Sequence, residues 1–313
     1  MHVSDRIGRR MKLHDLHVLM TVVQAGSMGK AARQLNTSQS AISRSIGELE
    51  HTLGVRLLDR SRQGIEPTQY GRTLLGCGAA VFDELRQGVK NIEFLTDPTV
   101  GEIRVAGNEH IIGGLIPAAF GRLRRQYPGI AIEVASVRAI SEQQRELRER
   151  RVDLVLGRVA QLDEEEFHTE ILFHDRIVVV AGSQNRWFRR RRIDPSELAE
   201  EPWALPPSDS SIQPQIADHF RAHGLKFPPR GAARGPIHLL CALVASGPFL
   251  GIIPRSLLHF AVNLPPLRVL PVDLPKPHLP VGIMTLRNRT ISPAAGLFIE
   301  RVRELVKPLA RLG

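Results

Sequence analysis

Along the first seventy residues, apolar positions recur at three- and four-residue spacing in three runs separated by polar turns. Leu16, Leu19, Met20 and Val23 share one helical face over 13–24. Met28, Ala31, Ala32 and Leu35 share another, and the paired alanines let two helices approach closely. After Asn36-Thr37, the residues Ile42, Ile46, Leu49 and Leu53 turn inward and predict a helix over 38–50. Its opposite face carries Gln39, Ser40, Ser43, Arg44 and Gly47, small or hydrogen-bonding groups with one cation. Such a surface can enter a major groove, read base edges through the amide and hold phosphates through hydroxyls and a guanidinium. The arrangement is that of a helix-turn-helix with residues 38–50 as recognition helix. A helical hairpin with a polar outer face and no nucleic-acid partner would have the same spacing.

From 55 to 68 two short extended pieces flank a turn at Gly64, which predicts a small wing. Arg60 and Arg62 on it would point at the phosphate backbone or the minor groove. Thr68 or Gln69 then opens a long helix reaching to Leu95, a span of roughly 40 Å. Leu75, Gly78, Phe82, Leu85, Val89 and Ile92 form a heptad-type seam along it. With no other helix of its own domain to cover that seam, a second copy of the chain is the expected cover, and burial of the helix within one chain is the alternative. The dimer would present recognition helices to successive major grooves about 34 Å apart. Asp97-Pro98 ends the helix and marks a domain boundary.

From Gly101 the pattern alternates. Strands are predicted at 102–106, 130–137 and 154–157, with helices at 111–127 and 141–151 and further strands at 170–173 and 176–181. A second set has helices at 194–200, 212–223 and 238–246, and strands at 203–205, 250–253 and 267–272. After the proline-rich stretch 275–280, a strand at 281–286 and a helix at 293–306 close the chain. Alternation of this kind implies right-handed crossovers and parallel sheets. Two α/β lobes would be joined by crossings near 174–182 and 273–281. In open α/β sheets the ligand lies beyond the carboxyl ends of the strands. Those ends carry Asn108, Glu109 and His110, then Ile140 and Ser141, then Arg158, then Pro207, Ser208 and Ser210. Two helix N-termini together with Arg158 favour an anion, and Arg holds a carboxylate through two parallel hydrogen bonds. A structural ion pair is the other role open to Arg158, and His110 stands between ligand contact and loop packing.

Composition narrows the class more than the activity. The 313 residues are 42% hydrophobic and 24% charged, ordinary for a soluble protein of two or three domains. The net charge of +10 suits a polyanionic partner, although the excess is spread along the chain. Its densest run, Arg186 with Arg189 to Arg192, reads as a solvated loop or else as a second nucleic-acid patch. Cys77 and Cys241 have no metal spacing around them, which argues against a disulfide framework and for a reducing compartment. Met1 to Lys12 is basic without a signal-length apolar stretch, and no run is long enough for a membrane span, so the cytoplasm is the expected address. His14 with His17, and His219 with His223, have helical spacing for metal ligands but no third ligand, and no cofactor is expected. Phosphate-loop, nucleophile-elbow and His-Glu-x-x-His motifs are missing, so the chain is not expected to be an enzyme. The rivals are a solute-binding protein, which would need an export signal, and a small-molecule enzyme with an accessory DNA-binding domain. The enzyme would need a convergent acid, base or nucleophile.

The segment Ala31-Ala32-x-x-Leu35-x-x-Ser38-Gln39-x-Ala41-x-Ser43-x-x-Ile46-x-x-Leu49-Glu50-x-x-Leu53-Gly54-x-x-Leu57-Leu58-x-Arg60 continues through Pro67-Thr68-x-x-Gly71. It resembles the amino-terminal signature of the LysR-type transcriptional regulators, densely over 13–71. Ser40 stands where that family usually has proline, and a serine still suits a helix start. The resemblance implies an α/β fold class with an all-α-type winged helix-turn-helix domain at 11–68 and a linker and dimerisation helix at 69–97. It also implies a two-lobed effector domain at 98–310, similar to the periplasmic-type solute-binding fold, with lobe I at 98–175 and 280–310 and lobe II at 176–279. The implied partners are double-stranded operator DNA, RNA polymerase, and the chain itself as dimer and tetramer. The DNA contacts would come from Ser38, Gln39, Ser40, Ser43, Arg44, Arg60, Arg62 and Thr68. Gly157-Arg158 resembles members whose effectors are aromatic or other organic acids. A carboxylate is therefore expected near Asn108, His110, Ile140, Ser141, Arg158, Pro207 and Ser208. Some similar sequences act in sugar catabolism, which makes a sugar the alternative effector.

Overall fold

The computed structural model describes residues 11–310 apart from 62–63, 160–164, 211, 223, 225, 228–232, 261–263 and 273–278. The chain divides into two compact units, Met1–Arg86 and Gln87–Gly313. The first contains α1 (Leu13–Ala25), α2 (Met28–Gln34), α3 (Gln39–Leu53), the antiparallel hairpin of β1 (Leu58–Ser61) and β2 (Gly64–Pro67), and the start of α4 (Gln69–Thr96).

Each boundary here has a local cause. Ser27 Oγ accepts the Lys30 amide at 3.1 Å and Ser38 Oγ the Ala41 amide at 3.1 Å, so α2 and α3 both open on hydroxyl caps. Both α1 and α3 end on left-handed glycines, Gly26 at φ 67° and Gly54 at φ 72°. Inside, Leu19, Val22, Ala31, Ile42, Ile46 and Leu49 close into one core.

The seam predicted on α4 divides at its middle. Leu75 packs on the helical core, Gly78 lies against Leu16 and Met20, and the Phe82 ring sits 5.6 Å from that of His17. A Cβ at Gly78 would stand 3.1 Å from both neighbours, which is why α1 can lie so close. The expectation that no helix of the same domain covers the seam is therefore corrected: α1 covers its first half. Leu85, Val89, Ile92 and Leu95 are left exposed, at 49%, 54%, 65% and 81%.

The second unit takes the rest of α4 and then β3 (Val100–Gly107), α5 (Glu109–Ile112), α6 (Leu115–Gln126), β4 (Gly129–Ser136), α7 (Ile140–Arg148), β5 (Leu154–Arg158) and β6 (Phe167–Asp175). The chain crosses at Asp175–Ile177 into β7 (Ile177–Gly182), a 3-10 turn (Pro195–Leu198), β8 (Trp203–Leu205), α8 (Gln213–Ala222) and β9 (Ala233–Arg234). Next come α9 (Ile237–Ser246), β10 (Leu250–Pro254), α10 (Arg255–Phe260) and β11 (Leu267–Val269). It returns for β12 (Leu279–Leu286) and α11 (Pro293–Ala310). One five-stranded sheet, lobe I, has the order β4-β3-β5-β12-β6, and the other, lobe II, the order β11-β7-β10-β8-β9.

Both sheets are mixed, which corrects the expectation of parallel sheets. In lobe I, β3 runs parallel to β4 and β5, but β12 is antiparallel to β5 and β6. The reason is the double crossing. Strands β5 and β6 end on the side facing lobe II, whereas β12 enters from that side. In lobe II, β7 enters from lobe I and lies antiparallel to β10 and β11.

Both faces of β7 are covered. Ile177 and Val179 pack with Trp203 and Phe220, and Val178 and Val180 with Leu240 and Val244. The helix predicted over 111–127 is broken by Gly113-Gly114 into α5 and α6, and the one at 194–200 is only the 3-10 turn. The alternation does not predict α10 or β9. Leu257 of α10 packs in lobe II while its Phe260 joins the core of lobe I. At the crossing, Asp175 accepts the Ser256 hydroxyl at 2.5 Å and its amide at 3.1 Å, so α10 is tied to the end of β6.

Candidate functional site

In the first unit α3 buries Ile42, Ile46 and Leu49 and exposes Gln39, Ser40, Arg44 and Gly47, while Ser43 is half-buried. Its attitude is fixed at two points. Ser45 donates to Asp15 Oδ1 at 2.8 Å, which pins α3 to α1. Glu50 accepts the Leu57 and Leu58 amides at 2.7 and 3.2 Å, which pins it to the root of the hairpin.

Three of the predicted contact residues are engaged locally. Ser38 caps α3, with its oxygen 2.9 Å from Ser40 Oγ. The Thr68 hydroxyl donates to Arg56 O at 2.8 Å and accepts the Gly71 amide at 3.1 Å, which ties it to the start of α4. Arg60 lies on β1 opposite Ile65. Its side chain, and all of Arg62, fall outside the described residues.

In the second unit the strand ends of the two lobes face one another across a cleft of about 70 Å³. Of the predicted residues Asn108, His110, Arg158 and Pro207 line it, as do Glu109 and Ser210 from the same strand ends. Ile140, Ser141 and Ser208 are not among its lining residues. Ile140 and Ser141 fall in the first turn of α7, where Glu142 accepts the Arg138 and Ala139 amides at 2.7 and 3.3 Å. Ser208 is exposed in a turn. Sequence reasoning misses the apolar wall, Val137, Ile212, Ile237, Leu240 and Ile252, because those residues read as ordinary core.

Asn108 holds the floor together. It donates to Val137 O at 3.0 Å and accepts the Arg158 amide at 3.1 Å and the Gln143 side chain at 3.4 Å. Gly157 makes this possible, since a Cβ there would collide with Asn108 Oδ1. The Asn108 carboxamide is thus part of the scaffold.

The charges follow from burial. Arg158 is 7% exposed; burial brings its guanidinium down to about 10, partly opposed by Asp175, and it stays cationic at neutral pH. Desolvation raises the Asp175 carboxyl above its usual range, against the bonds from Ser256. His110, 8% exposed, is pushed down to about 3 by burial and secondarily by Arg158, so its imidazole is neutral. Its Nε2 has no hydrogen-bond partner.

Glu109 Oε2 from lobe I accepts the Ile237 amide at 2.8 Å, at the start of α9 in lobe II. That helix N-terminus, which the strand-end rule does not place at the cleft, therefore already holds a carboxylate. Arg158 supplies the positive charge inside the cleft, and Arg138 at its edge pairs with Asp209 at 3.4 Å. Among the described residues no three His, Cys, Asp or Glu side chains converge as metal ligands, and no helix is long and apolar enough to cross a membrane.

Comparison with known proteins bears on both units. Residues 13–72 match the family model described as bacterial regulatory helix-turn-helix protein, lysR family, and residues 96–307 match the LysR substrate binding domain. The chain is 24% identical to the uncharacterized HTH-type transcriptional regulator YdcI of Escherichia coli, covering 97% of this chain and 99% of that one. It is 28% identical to the SDS degradation transcriptional activation protein of a Pseudomonas strain, over 90% of this chain and 92% of the relative. Among solved structures, a full-length OxyR variant from Pseudomonas aeruginosa superposes with TM-score 0.66 at 20% identity, covering 96% of this chain and 97% of that one. Full-length CbnR complexed with its target DNA gives 0.64 at 21% identity, covering 94% and 100%.

Proposed function

The chain belongs to the LysR family of DNA-binding transcriptional regulators, and from that premise we propose that a small organic carboxylate in the inter-lobe cleft is its effector. The observation that carries this is Arg158, a buried cation at the floor of a cleft whose wall is largely apolar. A guanidinium so placed is matched by one carboxylate with a hydrocarbon or aromatic body. A sugar would bring many hydroxyls to a wall that offers few partners. On the DNA side, Gln39 on the exposed face of α3 reads base edges of the operator while Ser40 and Arg44 beside it hold phosphates. The regulator works in the cytoplasm as a dimer through the exposed half of α4, and pairs of dimers form a tetramer.

Thermal denaturation with aromatic acids, dicarboxylates and sugars tests the effector. An acid at a hundred times its dissociation constant adds about 2.7 kcal/mol of stability. That gain should vanish in Arg158→Ala. Equal stabilisation of both proteins, or stabilisation by sugars alone, would overturn the carboxylate reading and leave the family assignment standing.

A further inference from the structure

We infer that the effector is a hydroxy acid, its carboxylate on Arg158 and its hydroxyl satisfied by His110 Nε2 and Ser210 Oγ. This rests on the carboxylate reading above and goes one step further. Both atoms are buried without a hydrogen-bond partner, and both residues line the same cleft. Buried polar side chains are satisfied in the large majority of cases, so two orphans on residues that line one cavity call for a partner from outside the chain.

The polar groups beside them are already engaged. Asn108 is held by three bonds and Glu109 by the Ile237 amide. His110 belongs to lobe I and Ser210 follows β8 in lobe II, so a ligand lying across the cleft can serve both.

The chemistry of the missing group follows from what it meets. The free imidazole nitrogen is a donor in one tautomer and an acceptor in the other, and a serine hydroxyl can be either. A ligand hydroxyl donates and accepts, so it suits both tautomers, whereas a carbonyl only accepts. A second carboxylate would want a second cation, and the other one lining the cleft, Arg138, is exposed at the rim with Asp209 beside it. An ammonium would be brought toward Arg158. The apolar residues Val137, Ile212, Leu240 and Ile252 leave the rest of the molecule to be hydrocarbon or aromatic.

The test is full-length protein denatured thermally against matched pairs: benzoate and 2-hydroxybenzoate, propanoate and 2-hydroxypropanoate, butanoate and 3-hydroxybutanoate. At least one hydroxy acid should bind about tenfold more tightly than its partner, the worth of one well-made hydrogen bond. Ser210→Ala, a small change, should erase that preference, bringing the ratio of affinities within the pair to about one. His110→Phe, which keeps a planar ring and removes both nitrogens, should do the same. If acids bind but no pair separates, or if the preference survives both substitutions, the inference falls and the carboxylate reading stands. If no acid binds at all, the two fall together.

Discussion

Ile92→Glu probes the proposed pairing through α4 at one of its most exposed apolar residues. Burying a whole isoleucine side chain is worth about 1.5–3 kcal/mol. Ile92 is 65% exposed, so about 1–2 kcal/mol remains for a partner to gain per copy. With one Ile92 on each chain the dimer would lose about 2–4 kcal/mol, and a carboxylate facing a dry seam adds to the loss. At about 1.4 kcal/mol per factor of ten, the dissociation constant of that pairing should rise roughly 30- to 1,000-fold. Sedimentation over micromolar concentrations reads this as an assembly of half the wild-type mass. Glu93→Gln, at an exposed polar position on the same helix, serves as the control. The substitution leaves the contacts of α1 with Gly78 and Phe82 untouched, so the first unit should stay folded. An Ile92→Glu protein that keeps the wild-type mass and concentration dependence would refute pairing through this face.

Gln39→Ala should cost about 1–3 kcal/mol of binding at one base pair and little on random DNA, whereas Arg44→Ala should weaken binding on every sequence and lower the salt slope by about one. Fluorescence anisotropy on operator and scrambled duplexes separates the two, and equal losses on both DNAs for Gln39→Ala would remove it from base readout. The buried His110 makes the second unit acid-sensitive. Its folded value of about 3 lies below the ordinary 6.5, so the unfolded chain binds the proton first. The stability it preserves is complete above 6.5 and is lost as pH falls from there toward 3. Asp175, raised above 3.8, acts with the opposite sign, favouring the fold at the acid end of its own window. Urea denaturation at stepped pH should therefore give a flatter acid limb for His110→Gln than for wild type, and identical limbs would contradict the neutral buried imidazole.

The helical domain was legible because its rules are local. The spacing of Ile42, Ile46 and Leu49 acts within a few residues, and so do the hydroxyl caps at Ser27 and Ser38 and the glycine ends at Gly26 and Gly54, which the structure adds. The seam was half legible: heptad spacing places Leu75 through Ile92 on one face, but not that Gly78 receives α1. Strand order depends on which end of a sheet the returning chain enters, and that made β12 antiparallel against the expectation from alternation. Strand ends gave the polar part of the cleft, Asn108, His110 and Arg158, because the rule they obey is topological. Its apolar wall was hidden, since Leu240 and Ile252 have the composition of core and differ from it only by facing a gap between lobes. Glu109 was legible as a cleft residue but not as a link between lobes, because its partner amide is 128 residues away.

The position of the cleft decides which ligand contacts can regulate. A ligand shifts a conformational equilibrium only by its difference in affinity for the two states. On the proposed site, Arg158 and His110 both belong to lobe I, so contacts with them alone are made equally well however lobe II is placed. Contacts with lobe II, to Ser210 and to the wall of α9 and β10, are the ones that distinguish one lobe arrangement from another. Moving a population from 1:99 to 99:1 takes about 5.5 kcal/mol, more than one hydrogen bond supplies. Apolar contact with Leu240 and Ile252 must therefore add to the Ser210 bond, and a very small acid would fill the floor without reaching them. A carboxylate that lacks both the hydroxyl and the apolar body would occupy the cleft as a competitor and leave the operator response unchanged. On the proposed site, anchoring lies in the cation of one lobe, and the regulatory signal in what the ligand reaches on the other.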